Sequence, residues 1–270
     1  MCETRGSIQW RAGIWGFRLS APIKNLVKQS VNELGFTEKR KYMIEKNIIL
    51  TSEKFMLECI NKDSAHDKYH IYRVLNLALT IAESEENVDL NLLIISCLLH
   101  DIGRQEQYDN PELCHAKVGG RKAYDFLISE GVDANNAMEV RKAIESHRFR
   151  TNHIPISIEA KILFDADTID ATGAMGIARS LQYEGKIGIP LYNVNSNGNV
   201  LEGRDDINES FFKEYESKLK ILYDRLFTVK GKEIANQRRE IAREFYQSLK
   251  IEVSQSHSTL ECLLDRYSFM

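Results

Sequence analysis

DLNLLIISCLLHDIGR, residues 89–104, runs almost wholly apolar from Leu92 to Leu99 and ends on the adjacent pair His100 and Asp101. Asp89 is suited to cap a helix start, since its carboxylate can accept the first free backbone N–H groups. Gly103 is suited to end the helix. With apolar residues on nearly every face, this segment reads as the central buried helix of an all-helical domain. It is far short of the roughly eighteen apolar residues that a bilayer-spanning helix needs, so no transmembrane segment is expected.

Outward from this helix the hydrophobic spacing stays helical. Ile71, Val74, Leu75, Ala78, Leu79 and Ala82 recur at i, i+3, i+4 and i+7, predicting an amphipathic helix that starts near Asp67. Asn110 and Pro111 read as a cap and first-turn proline opening a helix that closes at Gly131, and Asp133 caps another to about His147. Pro155 and Ser157 start a helix through Ala160, Ile162, Leu163 and Ala166 towards Gly173. Residues 185–206, rich in Gly and Asn and containing Pro190, read as a long loop with a short hairpin as one form. Two amphipathic helices, 207–228 and 232–250, complete the reading. No strand alternation or repeat is sustained, so the class is all-α.

The chain of 270 residues is 43% hydrophobic and 28% charged, with 15 Gly and 4 Pro, which excludes disordered and fibrous classes. Its net charge of −3 divides unevenly. Residues 1–42 hold eight Lys and Arg against three acids, a +5 head on a −8 body. An acidic body does not suit a broad polynucleotide surface, so no nucleic-acid polymer is expected, while a small phosphorylated ligand needs only a local pocket. The five cysteines are widely spaced with no CxxC pair, which points to a reducing, cytoplasmic setting and no thiolate zinc site. Cys97, inside the apolar run, reads as a small buried hydrophobe.

With 7 His and 14 Asp, chance supplies less than one His-Asp dipeptide, and this chain has two. At His66-Asp67 the simple reading is a surface histidine and an N-cap. His100-Asp101 differs, because two adjacent polar side chains at the end of the most apolar helix are costly to bury unpaired. A metal ion removes that cost by taking imidazole nitrogen and carboxylate oxygen together. His66 and His70, four residues apart, share a helix face. Asp167 lies in an apolar stretch with Asp165 and Asp170 beside it, and no Lys or Arg falls between Lys161 and Arg179. Such a cluster demands cationic compensation, which a divalent cation would supply.

HDKYHIYRV at 66–74, LLHDIGR at 98–104, AIESHR at 143–148, KILFDADTIDATGAMGIARS at 161–180 and KEIANQR at 232–238 together resemble the HD-domain metal-dependent phosphohydrolases, in the small bacterial YpgQ/YedJ-like branch. The resemblance covers about residues 48–250. It implies an HD-domain helical bundle with a metal held by His70, His100, Asp101 and Asp167. Under it His70 rather than His66 is the ligand, as the histidine of HxxRV, and His66 sits at the rim as a proton donor to a leaving oxygen.

What the resemblance implies for activity is hydrolysis of a phosphate ester or anhydride, in a nucleotide, by metal-activated water, with pyrophosphate release from nucleoside triphosphates as the form the branch suggests. A mixed nitrogen and oxygen donor set suits Mn, Fe, Co, Ni or Mg. Asp101, His66, Arg104 and His147 are the expected catalytic residues, and Asp101 or Asp167 can accept the water's proton. Arg104, His115, His147 and Asp170 are expected to bind substrate, with Lys117, Arg121 and Arg148 as further phosphate contacts. His115 and His147 resemble additional histidines of HD proteins that hold a second metal or substrate. Two other readings stand beside this one, a di-iron oxygenase on the same fold and a nucleotide-binding regulatory module without turnover.

The expected organisation is a basic N-terminal extension over 1–42, for which poor order is one expectation, a domain over 43–253 and a C-terminal tail over 254–270. Both tryptophans, Trp10 and Trp15, lie in the head, and Met43 is a credible internal start. A surface or targeting segment and a helical extension packed on the body are the other accounts of the head. The oligomeric state is left open.

Overall fold

The computed structural model describes residues 36–60, 67–148, 154–204 and 206–267. Its elements are helices: α1 (Phe36–Cys59), α2 (Lys68–Ala82), α3 (Leu90–Leu99), α4 (Arg104–Asp109), α5 (His115–Ser129), α6 (Ala134–Glu145), α7 (Ile158–Asp170), α8 (Gly173–Ile187), α9 (Phe211–Ser217), a 3₁₀ turn Leu219–Asp224, α10 (Val229–Ser256) and α11 (Leu260–Tyr267). The described residues contain no sheet, only an isolated antiparallel bridge between Val194 and Val200. The class is all-α, as the spacing predicts.

Capping residues set the starts of the helices that matter for the site. Asp67 accepts from the His70 amide at the head of α2. Asp89 accepts from Asn91 and Leu92 on α3, Asp133 from Asn135 and Asn136 on α6, and Ser157 from Ala160 on α7. Each satisfies donors that a helix start leaves without an intrahelical partner.

Helix α3 is the hub, packed against α2, α6 and α7. Leu93 and Cys97 join Val74, Ala78 and Ile81 of α2 with Ile162, Leu163 and Ala166 of α7 in one apolar cluster. Ile95, Leu98 and Leu99 join Ile71, Met56, Leu127, Val140 and Ile144 in a second. Burial on both sides requires the all-round apolar composition of α3, and Cys97 is fully buried as expected. A third cluster gathers Phe211, Phe212, Tyr215, Leu219, Leu222 and Tyr246 around α10.

Several expected boundaries move. Helix α5 opens at His115, with Cys114 before it, rather than at Asn110 and Pro111. Asn110 instead closes α4 and makes a turn, its Oδ1 accepting from the Glu112 amide and its carbonyl from the Leu113 amide. The helix expected over 207–228 is a short α9 and a 3₁₀ turn, broken at Lys218 (φ −132°, ψ −63°). Leu219 and Leu222, three apart, are both buried, a spacing that suits three residues per turn. Helix α8 persists to Ile187, so the long loop begins at Gly188, which takes the left-handed conformation (φ 77°).

The compact body is Ile48–Met270, and the expected boundary at 42/43 falls inside α1. The segment expected as a tail carries the end of α10 and all of α11, and His257 ties it to the loop through Tyr192 Oη (3.3 Å) and the Gly198 carbonyl (3.0 Å). No helix among the described residues is long and apolar enough to cross a membrane.

Candidate metal centre

His70 lies at the head of α2, His100 and Asp101 just after α3, His115 at the first position of α5, His147 just past α6, and Asp167 on α7. One close approach brings two of these together. A Cβ at Gly103 would stand 2.4 Å from the His115 carbonyl and 2.5 Å from the Gly119 nitrogen, so the turn after Asp101 can rest on the start of α5 only as glycine.

Four imidazoles turn Nε2 towards Asp101. Its Oδ2 is 3.6 Å from His70 and 3.7 Å from His100, while Oδ1 is 3.5 Å from His115 and 3.6 Å from His147. Asp167 Oδ1 completes the first side, 3.4 Å from His70 and 3.9 Å from His100. Two donor groups result, His70–His100–Asp167 and Asp101–His115–His147, with Asp101 facing both.

Each ring is oriented through its other nitrogen. His70 Nδ1 meets Asp170 Oδ2 at 2.8 Å, His100 Nδ1 the Cys97 carbonyl at 2.8 Å, His115 Nδ1 the Gln107 Oε1 at 2.5 Å, and His147 Nδ1 the Ile144 carbonyl at 2.6 Å. With an acceptor opposite every Nδ1, a proton belongs there, and Nε2 is the nitrogen that each ring turns to the centre. Ligands bound about 2.1 Å from one cation are separated by roughly 3–3.5 Å, close to the spacings here.

Asp101 supplies the test of fit. It is 3% exposed, and neither carboxylate oxygen has a hydrogen-bond partner among the described residues. Arg104 Nε lies 2.8 Å from Oδ2, an ion pair without hydrogen-bond alignment. A buried carboxylate without hydrogen-bond donors, ringed by imidazole nitrogens, is a place for positive charge. The electrostatics agree. Burial pulls the His70 imidazole down, but Asp101, Asp167 and Asp170 outweigh it and hold its pKa up to about 10. Burial opposes ionisation of Asp101, yet Arg104 and His100 hold it well below the usual carboxylate range. Burial pushes His100 down to about 4, and burial and then Arg104 push His115 down too.

The acids expected as one cluster serve three ends. Asp167 is the member that reaches both the centre and solvent, its side chain 22% exposed. Asp165 turns away and accepts from the Phe227 and Thr228 amides and from Thr228 Oγ1, fixing the start of α10. Asp170, expected to bind substrate, is buried and engaged with His70, with Arg73 (Nε–Oδ1 2.7 Å) and with Arg179 (Nη1–Oδ2 2.8 Å). Its compensation comes from arginines of α2 and α8, not from a local cation.

Arg104 lies beside Asp101, and His115 and His147 are brought to the centre. Arg148 Nη1 points to Cys114 Sγ at 3.7 Å, and Lys117 and Arg121 face solvent on α5. His66 lies outside the described residues. Sequence reasoning missed Arg73 and Gln107. Arg73 follows His70 by three residues and so shares its helix face, a usable signal. Gln107 has none, because its partner His115 belongs to another helix.

An all-helical bundle that converges on a buried His-Asp pair, with further His and Asp from flanking helices, defines an HD-type protein. The HD domain family matches residues 68–172, and the chain belongs to that family. It is similar to the uncharacterized protein YpgQ of Bacillus subtilis, 32% identical over 197 residues, 72% of this chain and 87% of that protein. The crystal structure of Bacillus subtilis YpgQ in complex with ADP matches with a TM-score of 0.59 and 28% identity, covering 76% of this chain and 97% of that one. An HD-superfamily hydrolase of Bacillus thuringiensis matches with a TM-score of 0.57 and 28% identity, covering 77% and 97%.

Proposed function

We propose that this protein is a divalent-metal-dependent phosphohydrolase of the cytoplasm that acts on a nucleotide and releases pyrophosphate from nucleoside triphosphates. The observation that carries the reading is Asp101, a buried carboxylate whose two oxygens lack hydrogen-bond donors and face two donor groups. His70, His100, Asp167 and Asp101 Oδ2 would hold one cation, and His115, His147 and Asp101 Oδ1 a second. A cation of the Mn, Ni, Co, Fe or Mg type supplies stabilisation of phosphoryl charge and acidifies water. Arg104, its side chain 30% exposed beside Asp101, holds a phosphoryl oxygen and offsets its charge. Asp167 keeps Oδ1 towards the imidazoles and accepts the water's proton at Oδ2. The ADP complex of the similar YpgQ supports a nucleotide ligand.

The test is a panel of metals against nucleotides, reading phosphate and pyrophosphate release. Turnover with added Mn²⁺ or Ni²⁺, abolished together with metal binding in His100→Ala and Asp101→Ala, supports the reading. Metal-loaded protein that releases neither product from any nucleotide overturns it, and nucleotide binding without turnover would make the chain a regulatory module. The catalytic unit proposed is residues 43–253, so a chain starting at Met43 should turn over like the full one.

The presence of both His115 and His147 beside Asp101 favours one second reading, a di-iron oxygenase on the same fold. It predicts oxygen consumption by iron-loaded protein and no phosphate release.

A further inference from the structure

Helix α4 begins beside Asp101, α8 carries Arg179 against Asp170, and the two approach each other further out, at Tyr108 and Lys186. On α4, Arg104 sits beside Asp101 and Gln107 holds His115. Tyr108, four residues after Arg104, lies on the same face one turn further out. On α8, Arg179 holds Asp170, and Lys186 follows seven residues later on the same face, about 11 Å along the axis. There Lys186 Nζ stands 5.3 Å from the centroid of the Tyr108 ring. The ammonium covers one face of the ring, and Tyr108 remains 66% exposed.

Tyr108 is thus a large aromatic held by a cation and left open to solvent, on a helix that begins beside the candidate centre. Its open face can receive a flat aromatic ligand, because bases stack on tyrosine regardless of their hydrogen-bonding edges. Arg104, its side chain 30% exposed, lies between the ring and Asp101, a position that suits a ligand carrying phosphates at its other end. We propose that Tyr108, held in place by Lys186, is the platform on which the base of a nucleotide stacks while its phosphates extend to Arg104 and the metal centre. This rests on the nucleotide reading above and adds to it a base-binding position that tolerates different bases.

The experiment compares wild type, Tyr108→Ala and Tyr108→Phe in the full chain, using ATP, inorganic tripolyphosphate and direct calorimetry of ADP binding. Tripolyphosphate keeps the anhydride bonds and lacks the base. Tyr108→Ala should raise the Kd for ADP, and the ratio of KM for ATP to KM for tripolyphosphate, about tenfold, and Tyr108→Phe should restore both. An ADP affinity unchanged in Tyr108→Ala, or an equal loss on ATP and tripolyphosphate, overturns the platform. Wild type that binds ADP through Tyr108 without hydrolysing ATP upholds the platform and overturns the hydrolase. Wild type that binds no ADP overturns the platform itself.

Discussion

His70 Nδ1 and Asp170 Oδ2 are 2.8 Å apart, and the same carboxylate is clamped by Arg73 and Arg179. Among the four imidazoles at the centre, His70 alone has a carboxylate behind it; the others lean on backbone carbonyls or an amide side chain. A carboxylate behind an imidazole fixes its tautomer and raises its strength as a ligand. The side formed by His70, His100 and Asp167 should therefore bind a cation more tightly than the side formed by His115 and His147.

Asp170→Asn keeps the shape and removes the charge. It should weaken the tighter cation about 10- to 100-fold, with Arg73 and Arg179 losing their ion pairs at the same time. Calorimetric titration of metal-free protein with Mn²⁺ measures this, and an unchanged affinity would show that Asp170 does not orient His70.

Gln107 has the corresponding place behind His115. Gln107→Leu removes the acceptor for His115 Nδ1 and frees the ring to turn. Metal analysis at moderate Mn²⁺ should fall from two cations per chain towards one, while the tighter cation stays. Retention of both would remove Gln107 from the centre's support.

The helices were legible in the sequence where their causes are local. Asp89, Asp133 and Ser157 sit next to the amides they cap, and the apolar run of α3 announces its burial whatever surrounds it. His100 and Asp101 could be picked out because they end that run. Composition and spacing did not separate Asp165 and Asp170 from Asp167, which only the family resemblance singled out, because their partners, Thr228, Arg73 and Arg179, lie on other elements. The two-sided use of Asp101 was out of reach for the same reason, since it depends on α5 crossing the turn at Gly103. The break at Lys218 also depends on tertiary packing, with Leu219 and Leu222 drawn into a core built mainly by α9 and α10.

Gly103→Ala tests that crossing. The added methyl meets backbone, which cannot swing aside as a side chain can. The substitution should cost about 1–3 kcal/mol and move His115 away from Asp101, lowering both the unfolding midpoint in urea and the second cation's occupancy. A variant with wild-type stability and two cations would mean that α5 has room to move.

Glu184 gives a prediction about pH that lies apart from the centre. It is 6% exposed on α8, and its Oε2 has no hydrogen-bond partner among the described residues. Burial raises its pKa from 4.5 to about 7, with Glu214 adding to the rise and Lys218 opposing it. A carboxyl raised in the folded state favours folding while it is protonated, so its contribution is full below about 4.5 and is lost as pH climbs through about 7. Glu184→Gln removes the charge and keeps the size. The variant should match wild type at the acid end and exceed it above neutrality by about 1–3 kcal/mol. Urea unfolding of both proteins at a series of pH values from about 5 to 8.5 reads this difference directly. A gap that is constant across the series would assign the effect to packing, and a gap that closes towards alkaline pH would reverse the sign of the argument.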